Sequence, residues 1–133
     1  MEEIRVATSG YFNPLHSGHL QLLREAKKLG THLTVIVNND DQARIKGSKD
    51  FFTVGERAEI LKAIKYVDEV VVSMDTGRDV SKTLTFVQPD IFAKGGDSAN
   101  VPEKDVCDKL GIKIVYGVGT SIKINASSKL KNV

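Results

Sequence analysis

Short apolar runs of strand length alternate with amphipathic helical patterns along this chain of 133 residues. Such alternation is typical of β-α-β units, in which successive strands pair in parallel and the connecting helices cover the sheet. The pattern predicts five strands, at about residues 4–9, 32–38, 68–73, 91–94 and 112–116. We therefore expect an α/β fold with a five-stranded parallel sheet.

Helices are predicted between the strands by apolar residues at intervals of three and four and by residues that favour helix ends. The first is expected from Ser17 to about residue 29, and three more are expected to be opened by Thr53, Asp79 and Pro102. The polar stretch 39–50 is predicted to be a loop. A chain of this length forms one core, so residues 1–133 are predicted to be a single domain, a Rossmann-like three-layer sandwich.

Composition argues against several classes of protein. The formal net charge is only +2 and no basic run precedes the last dozen residues, so nucleic-acid binding is not expected. No stretch approaches the ~20 apolar residues of a membrane span, and the N-terminus lacks the pattern of a signal peptide. One cysteine allows no internal disulfide and fits a reducing compartment. We therefore expect a cytoplasmic protein without membrane contacts.

The segment from residue 6 to residue 19 carries the first chemical signal. A predicted strand leads into a tight turn that contains Gly10 and Pro14, and His16 and His19 follow where a helix should begin. Residues three apart share one side of a helical turn, so both imidazoles are expected beside free N–H groups and the positive end of the helix dipole. Such a helix start attracts anions, and the favoured hypothesis is a phosphate site.

The histidine pair is also compatible with a purely structural role and with a metal site. A histidine at a helix start is often an ordinary cap, and a pair at this spacing could belong to a zinc site. Zinc would need further ligands, and the remaining histidine and cysteine, His32 and Cys107, stand at no ligand spacing. No metal site on the protein is therefore predicted, and Cys107 is interpreted as a core residue.

Residues 10–19 read Gly-Tyr-Phe-Asn-Pro-Leu-His-Ser-Gly-His. They resemble the GxF(D/N)xxHxGH signature of the cytidylyltransferase-like nucleotidylyltransferases, with Asn13 where many cytidylyltransferases have Asp. The resemblance implies that His16 and His19 of the HxGH motif are catalytic. It also implies that neighbouring residues bind the nucleotide, namely Gly10, Tyr11, Phe12, Asn13 and Gly18.

The polar stretch after the second predicted strand contains Arg44-Ile45-Lys46-Gly47. This segment resembles the basic loop of the family, in which a lysine reaches the nucleotide phosphates, and the resemblance implies a catalytic role for Lys46. Ligands of open parallel sheets bind at the carboxyl ends of the strands, so this lysine is expected near the histidines. Arg57 matches a family arginine that either holds the edge of the active site or touches phosphate, and both roles stay open.

Two further segments are similar to nucleotide-binding parts of the family. Lys94-Gly95-Gly96-Asp97 follows the predicted fourth strand, where two glycines let a ligand approach the backbone. It resembles the heptose-phosphate adenylyltransferase branch more than the cytidylyltransferases or the archaeal FAD synthetases, which implies nucleotide binding by Lys94, Gly95 and Asp97 and favours ATP. Ala126-Ser127-Ser128 resembles the segment that binds the β- and γ-phosphates, although Ser127 and Ser128 could be simple helix caps.

The resemblance implies a nucleotidylyltransferase that moves a nucleoside monophosphate, with AMP favoured over CMP, from ATP or CTP to a small phosphorylated acceptor. A sugar phosphate such as heptose-1-phosphate is favoured, which would place the protein in the synthesis of lipopolysaccharide or another cell-surface precursor. Glycerol-3-phosphate or another polyol phosphate with CTP, and FMN with ATP, are the alternatives.

No serine or cysteine lies in the motif of an activated nucleophile, so a direct displacement that releases pyrophosphate is expected. Mg²⁺ would be held mainly by the nucleotide phosphates. Transferases of this size often dimerise, so a homodimer is considered. The alternative of another class is a nucleotide-binding module without catalysis.

Overall fold

The computed structural model describes residues 2–47, 52–96 and 101–119. Within these ranges the strands are β1 (Arg5–Gly10), β2 (His32–Val37), β3 (Glu69–Val72), β4 (Ile91–Ala93) and β5 (Lys113–Val115). They form one sheet in the order β3-β2-β1-β4-β5, and every neighbouring pair is parallel. The predicted strands are confirmed to within one residue at each end.

The helices of the described ranges are α1 (Ser17–Lys27), α2 (Asp40–Lys46), α3 (Val54–Lys62), α4 (Ser81–Val87) and α5 (Lys104–Leu110). None of them is long and apolar enough to cross a membrane. The prediction that Asp79 caps the short helix before β4, which is α4, is wrong. Val80 precedes α4, and the carboxylate of Asp75 accepts hydrogen bonds from the backbone N–H groups of Lys82 and Thr83 instead.

The prediction that residues 39–50 form a loop is also wrong, because residues 40–46 of that stretch form α2. Asn39 caps this helix: its Oδ1 accepts a hydrogen bond from the Gln42 N–H at 2.8 Å, and Gln42 Oε1 accepts one from the Asn39 N–H at 3.0 Å. These two bonds satisfy donors that a helix start otherwise leaves unpaired. Residues 48–51 lie outside the described ranges.

Alternate strand residues face two separate apolar cores, as expected for a sheet that is buried on both sides. On one face Val6 and Leu33 pack with Leu23 of α1 and Leu61 of α3. On the other face Ala7, Ile36 and Phe92 pack with residues of α4 and α5, which include Leu84 and Cys107. The predicted three-layer arrangement is therefore confirmed.

The side chains of α2 also dock this helix on the segment that leads from β3 to α4. Asn39 Nδ2 donates to the carbonyls of Ser73 and Asp75, both at 2.9 Å. Gln42 is fully buried, and its Nε2 donates to the carbonyls of Gly77 at 2.7 Å and Asp79 at 2.9 Å. A short helix with little apolar surface is thus fixed by amide side chains.

Two glycine substitutions should change stability in opposite directions. A Cβ at Gly30 would lie 2.5 Å from the Ile4 carbonyl oxygen, so Gly30→Ala is expected to lower the free energy of unfolding by ~1–3 kcal/mol. Gly55 lies inside α3, and a Cβ there would meet nothing closer than 3.9 Å. Gly55→Ala should therefore raise the free energy of unfolding by ~0.4–1 kcal/mol. Urea unfolding of both variants measures the difference. A Gly30→Ala variant as stable as the parent would contradict the packing described.

Candidate active site

The order of the sheet places β1 between β2 and β4, so the direction in which strands are added reverses at β1. In open parallel sheets the crevice outside the carboxyl ends of the strands at such a reversal is where ligands bind. The segment 11–19 follows β1 and the segment 94–96 follows β4 at this edge. Two parts of the chain that are about 80 residues apart are thereby brought together because their strands are paired.

The two histidines of the HxGH motif cap α1 with their own rings. His16 is the N-cap residue, and its Nδ1 accepts a hydrogen bond from the Gly18 N–H at 3.1 Å. His19 Nδ1 accepts one from the His16 N–H, also at 3.1 Å. Since both Nδ1 atoms are acceptors, the ring hydrogen of each neutral imidazole is on Nε2.

The imidazole rings are stacked, with centroids 3.8 Å apart and planes inclined by 25°. Two parallel rings with hydrogens on Nε2 are equipped to donate two N–H groups to one anion. The first turn of α1 also contains no acidic residue that would repel an anion.

The expectation of free backbone N–H groups at this helix start needs correction. The N–H groups of His16 and Gly18 donate hydrogen bonds to the histidine rings. The N–H groups of His19 and Leu20 donate to the His16 carbonyl, at 2.9 and 3.2 Å. The attraction for an anion therefore comes from the rings more than from these amides. Gly18 packs closely against the His16 ring, because a Cβ there would lie 3.0 Å from His16 Cε1.

Phe12 supports the His19 ring from the side. Its side chain is only 2% exposed, its φ is +50°, and its ring meets the His19 ring edge-on with centroids 4.9 Å apart. A Cβ at Gly10 would lie 2.8 Å from the tip of the Phe12 ring, so a residue without a side chain is needed there. Both residues line the site, and their proposed contact with nucleotide stays a prediction.

A first cavity, of about 410 Å³, opens on one side of the histidines. It is lined by residues 9–14, His16, His19, Leu22 and Lys46, so the predicted Tyr11 and Asn13 are also part of it. Lys46 is the last residue of α2, and its ammonium lies 4.2 Å from the centre of the Tyr11 ring. The lysine is therefore near the histidines as expected, although a helix and not a loop carries it.

A second cavity, of about 370 Å³, shares the two histidines and Leu22 and is otherwise lined by Gly18, Gly95, Gly96, Val118 and Gly119. Four of its eight lining residues are glycines, which present only backbone. Gly119 has φ +80°, and a Cβ there would lie 3.1 Å from the Leu22 Cα. Residues 118 and 119 were not predicted as part of the site, although the glycines after the fifth predicted strand were a signal for a close approach of this kind.

Arg57 joins four segments around the site. Its Nη1 donates to the carbonyls of Tyr11 and Asn38, both at 2.7 Å, and its Nε donates to the Phe52 carbonyl at 3.2 Å. Its Nη2 pairs with Asp40 Oδ1 at 2.9 Å, and the arginine side chain is 0% exposed. Of the two roles left open, the geometry supports holding the edge of the site, since no part of the guanidinium is accessible to phosphate.

Asn13, which replaces the more usual aspartate of the signature, also has a positioning contact. Its Oδ1 accepts a hydrogen bond from the Phe52 N–H at 3.1 Å, beside the carbonyl that Arg57 holds. Either asparagine or aspartate offers an oxygen at this position. The contact therefore gives no reason to connect Asn13 with the choice of base.

The structure does not bring Lys94 into either cavity. Its ammonium lies 3.9 Å from Oε1 of Glu103, a buried carboxylate whose Oε2 accepts from the Val80 N–H. Attraction to this buried charge explains the position of the Lys94 ammonium, and the predicted contact of Lys94 with the nucleotide stays a prediction. The other predicted residues of this group, Asp97, Ser127 and Ser128, lie outside the described ranges, whereas Gly95 lines the second cavity.

Cys107 is placed in the core, as the sequence predicted. Burial, with the nearby Glu103 carboxylate, raises the pKa of its thiol to about 11. The thiol is therefore protonated at neutral pH and is not a nucleophile. Within the described ranges no group of three or more His, Cys, Asp or Glu side chains is arranged to hold a metal ion.

Comparisons with known proteins found a matching family and several similar relatives. Residues 7–128 match the family described as cytidylyltransferase-like. The chain is 43% identical over 99 residues to an FAD synthase of Thermococcus sibiricus, a match that covers 72% of this chain and 65% of the relative, which is less than two thirds of its length. It is 36% identical over 134 residues to an FAD synthase of Thermoplasma volcanium, covering 96% and 92% of the two chains.

A third relative is a glycerol-3-phosphate cytidylyltransferase of Staphylococcus aureus, 32% identical over 119 residues that cover 88% of this chain and 89% of the relative. Among solved structures, the lipopolysaccharide core biosynthesis protein from Thermoplasma volcanium has a TM-score of 0.75 and 34% identity. That match covers 86% of this chain and 96% of the neighbour.

Replacing Arg57 should test its role in holding the site together. Arg57→Met leaves the Asp40 carboxylate and three backbone carbonyls without their partner, and it should lower the free energy of unfolding by ~3–5 kcal/mol. Arg44→Met is the control, since Arg44 is exposed and its ion pair within the described residues is with Asp41, one turn away; its effect should stay within ~0.5 kcal/mol. Urea unfolding measures both, and equal effects would contradict the assignment.

Proposed function

The chain belongs to the cytidylyltransferase-like family, and we propose that it transfers a nucleoside monophosphate from a nucleoside triphosphate to a phosphorylated acceptor. The family and the named relatives indicate nucleotidyltransferase activity. The observation that supports the proposal best is the stacked pair His16 and His19, with hydrogens on Nε2, between two cavities. One cavity can take the nucleoside and the other the remaining phosphates and the acceptor.

The second cavity suits the nucleoside. Its glycine backbone and the side chains of Leu22 and Val118 offer apolar contacts together with backbone donors and acceptors. A base bound there would place the α-phosphate against the histidine rings. The β- and γ-phosphates would then extend into the first cavity, where Lys46 is the nearest cation that lines the wall.

The reaction follows from these positions. An oxygen of the acceptor phosphate attacks the α-phosphorus, a new P–O bond forms, and the bond from that phosphorus to the bridging oxygen breaks. Pyrophosphate leaves with the electron pair. The attacking group is already an anion, so the protein has to align the two phosphates and stabilise the charge that develops on their oxygens. His16 and His19 would stabilise the α-phosphate, and Lys46 the pyrophosphate.

Mg²⁺ would neutralise phosphate charge in this reaction. No carboxylate lines either cavity within the described ranges, so the nucleotide phosphates and water are the ligands that we propose for the ion.

The identity of donor and acceptor is supported by the relatives' names. Two of them are FAD synthases, at 43% and 36% identity, and we therefore propose ATP as the donor and FMN as the acceptor. A sugar phosphate is the second candidate, since the segment 94–97 resembles the heptose-phosphate branch and the structural neighbour is a lipopolysaccharide core biosynthesis protein. Glycerol-3-phosphate with CTP is represented by the Staphylococcus aureus relative.

Pyrophosphate release with a panel of acceptors tests the proposal. The chain is given ATP or CTP with Mg²⁺ and one of FMN, heptose-1-phosphate, glycerol-3-phosphate or phosphocholine. Release is expected with ATP and FMN and not with ATP and riboflavin, which lacks the attacking phosphate. Turnover with another pair would replace FMN as the acceptor. Binding of ATP without release on any acceptor would favour the module without catalysis.

The capping role of the histidines can be separated from their catalytic role. In His16→Asn and His19→Gln the new side chains can still accept the backbone hydrogen bonds of the capping box but lose the Nε2–H donor. Each variant is expected to turn over ~10²–10³ times more slowly, while its free energy of unfolding changes by no more than ~0.5 kcal/mol.

His32→Gln is the matched control, since His32 begins β2 at the opposite edge of the sheet and lines neither cavity. It should retain full turnover. Undiminished turnover in either motif variant would contradict the catalytic assignment.

A further inference from the structure

The turn that contains Arg78 is held firmly from both sides. Gln42, which is fully buried, donates one hydrogen bond to the carbonyl of Gly77 and another to that of Asp79. These two residues flank Arg78 in the chain. The side chain of Arg78 is exposed, but the buried amide of Gln42 fixes the backbone on either side of it. A fixed backbone limits the entropy that is lost when the Arg78 side chain binds a ligand.

The side chain of Arg78 lies beside the end of α2. Its Nη2 donates to the Ile45 carbonyl at 3.3 Å, and the next residue, Lys46, has its ammonium over the Tyr11 ring. Burial raises the pKa of the Tyr11 hydroxyl, and the positive charge of Arg78 partly opposes that rise. The hydroxyl therefore stays protonated and can donate a hydrogen bond. The ammonium of Lys46 thus lies at Tyr11 in the first cavity, and the guanidinium of Arg78 lies at the carbonyl of the residue that precedes Lys46.

Neither of these cations is neutralised within the described part of the chain. No ion pair joins Arg78 or Lys46 to a carboxylate there, whereas Arg44, on the same helix as Lys46, is paired with Asp41. A cation without a carboxylate partner attracts an anion. A phosphate group is the anion whose geometry an arginine fork matches best.

We propose that Arg78 binds the phosphate of the acceptor, with the Tyr11 hydroxyl beside it. The inference rests on the proposed function and adds to it a residue that recognises the second substrate. Tyr11 and Lys46 line the first cavity and not the second, so Arg78 stands on the side of the histidines away from the proposed nucleoside site. Its charge would allow a phosphate dianion to approach the triphosphate, which also is negative.

Arg78→Gln tests the assignment, because glutamine keeps an N–H donor for the Ile45 carbonyl and removes the charge and the fork. With the acceptor that the panel identifies, KM for that acceptor should rise about tenfold or more, as expected for a lost charged hydrogen bond. KM for ATP and the melting temperature should be unchanged. Arg78→Lys should restore part of the loss, and Arg44→Gln, which removes a paired charge from α2, should match the parent.

A change confined to KM for ATP would place Arg78 on the nucleotide phosphates and overturn the proposal, and so would an unchanged KM for the acceptor. Calorimetric titration with inorganic phosphate, without nucleotide, gives a readout that needs no turnover: Arg78→Gln should weaken binding about tenfold and Arg44→Gln should not. Phosphate binding that depends on Arg78 in a chain inactive on every acceptor would support this site and refute the proposed function. Turnover with unaltered kinetics in Arg78→Gln would refute this site alone.

Discussion

The buried guanidinium of Arg57 is the contact on which the geometry of the site depends. Arg57 lies on α3 and donates hydrogen bonds to three groups on other segments. These are the Tyr11 carbonyl in the loop after β1, the Asn38 carbonyl just after β2 and the Asp40 carboxylate at the start of α2. The loop that carries the histidines and the helix that carries Lys46 are thus fixed to one group. A buried charge of this kind is stable only when all its donors are matched. The four segments must therefore be in place together.

The histidine pair combines two tasks that are usually divided between residues. Nδ1 of each ring closes the start of α1, and this fixes both the ring orientation and the position of the hydrogen on Nε2. Phe12 then fixes the second ring from the side. The groups that we propose to meet the α-phosphate are accordingly oriented before any ligand binds, which is the condition under which hydrogen-bond donors contribute most to catalysis.

The two cavities differ in what makes them selective. The glycine-lined cavity presents mainly backbone, whose positions follow from the pairing of β4 and β5 with the rest of the sheet. The first cavity presents side chains, Tyr11 and Lys46, with Arg78 beside them on a turn that Gln42 fixes. Side chains on turns can vary without disturbing the sheet. On the proposed function, acceptor choice would therefore be made on this side.

The sequence by itself determined the five strands, the three layers and the HxGH loop, because these depend on local periodicity and on a compact motif. It also contained, unnoticed, the Asn39-x-x-Gln42 pattern that caps α2. Tertiary structure alone decided that Arg57 is buried among backbone carbonyls, that Lys94 turns to Glu103, and that Asp75, not Asp79, caps α4. Each of those outcomes depends on which distant charge or carbonyl lies within reach after folding, and sequence spacing carries no information on such distances.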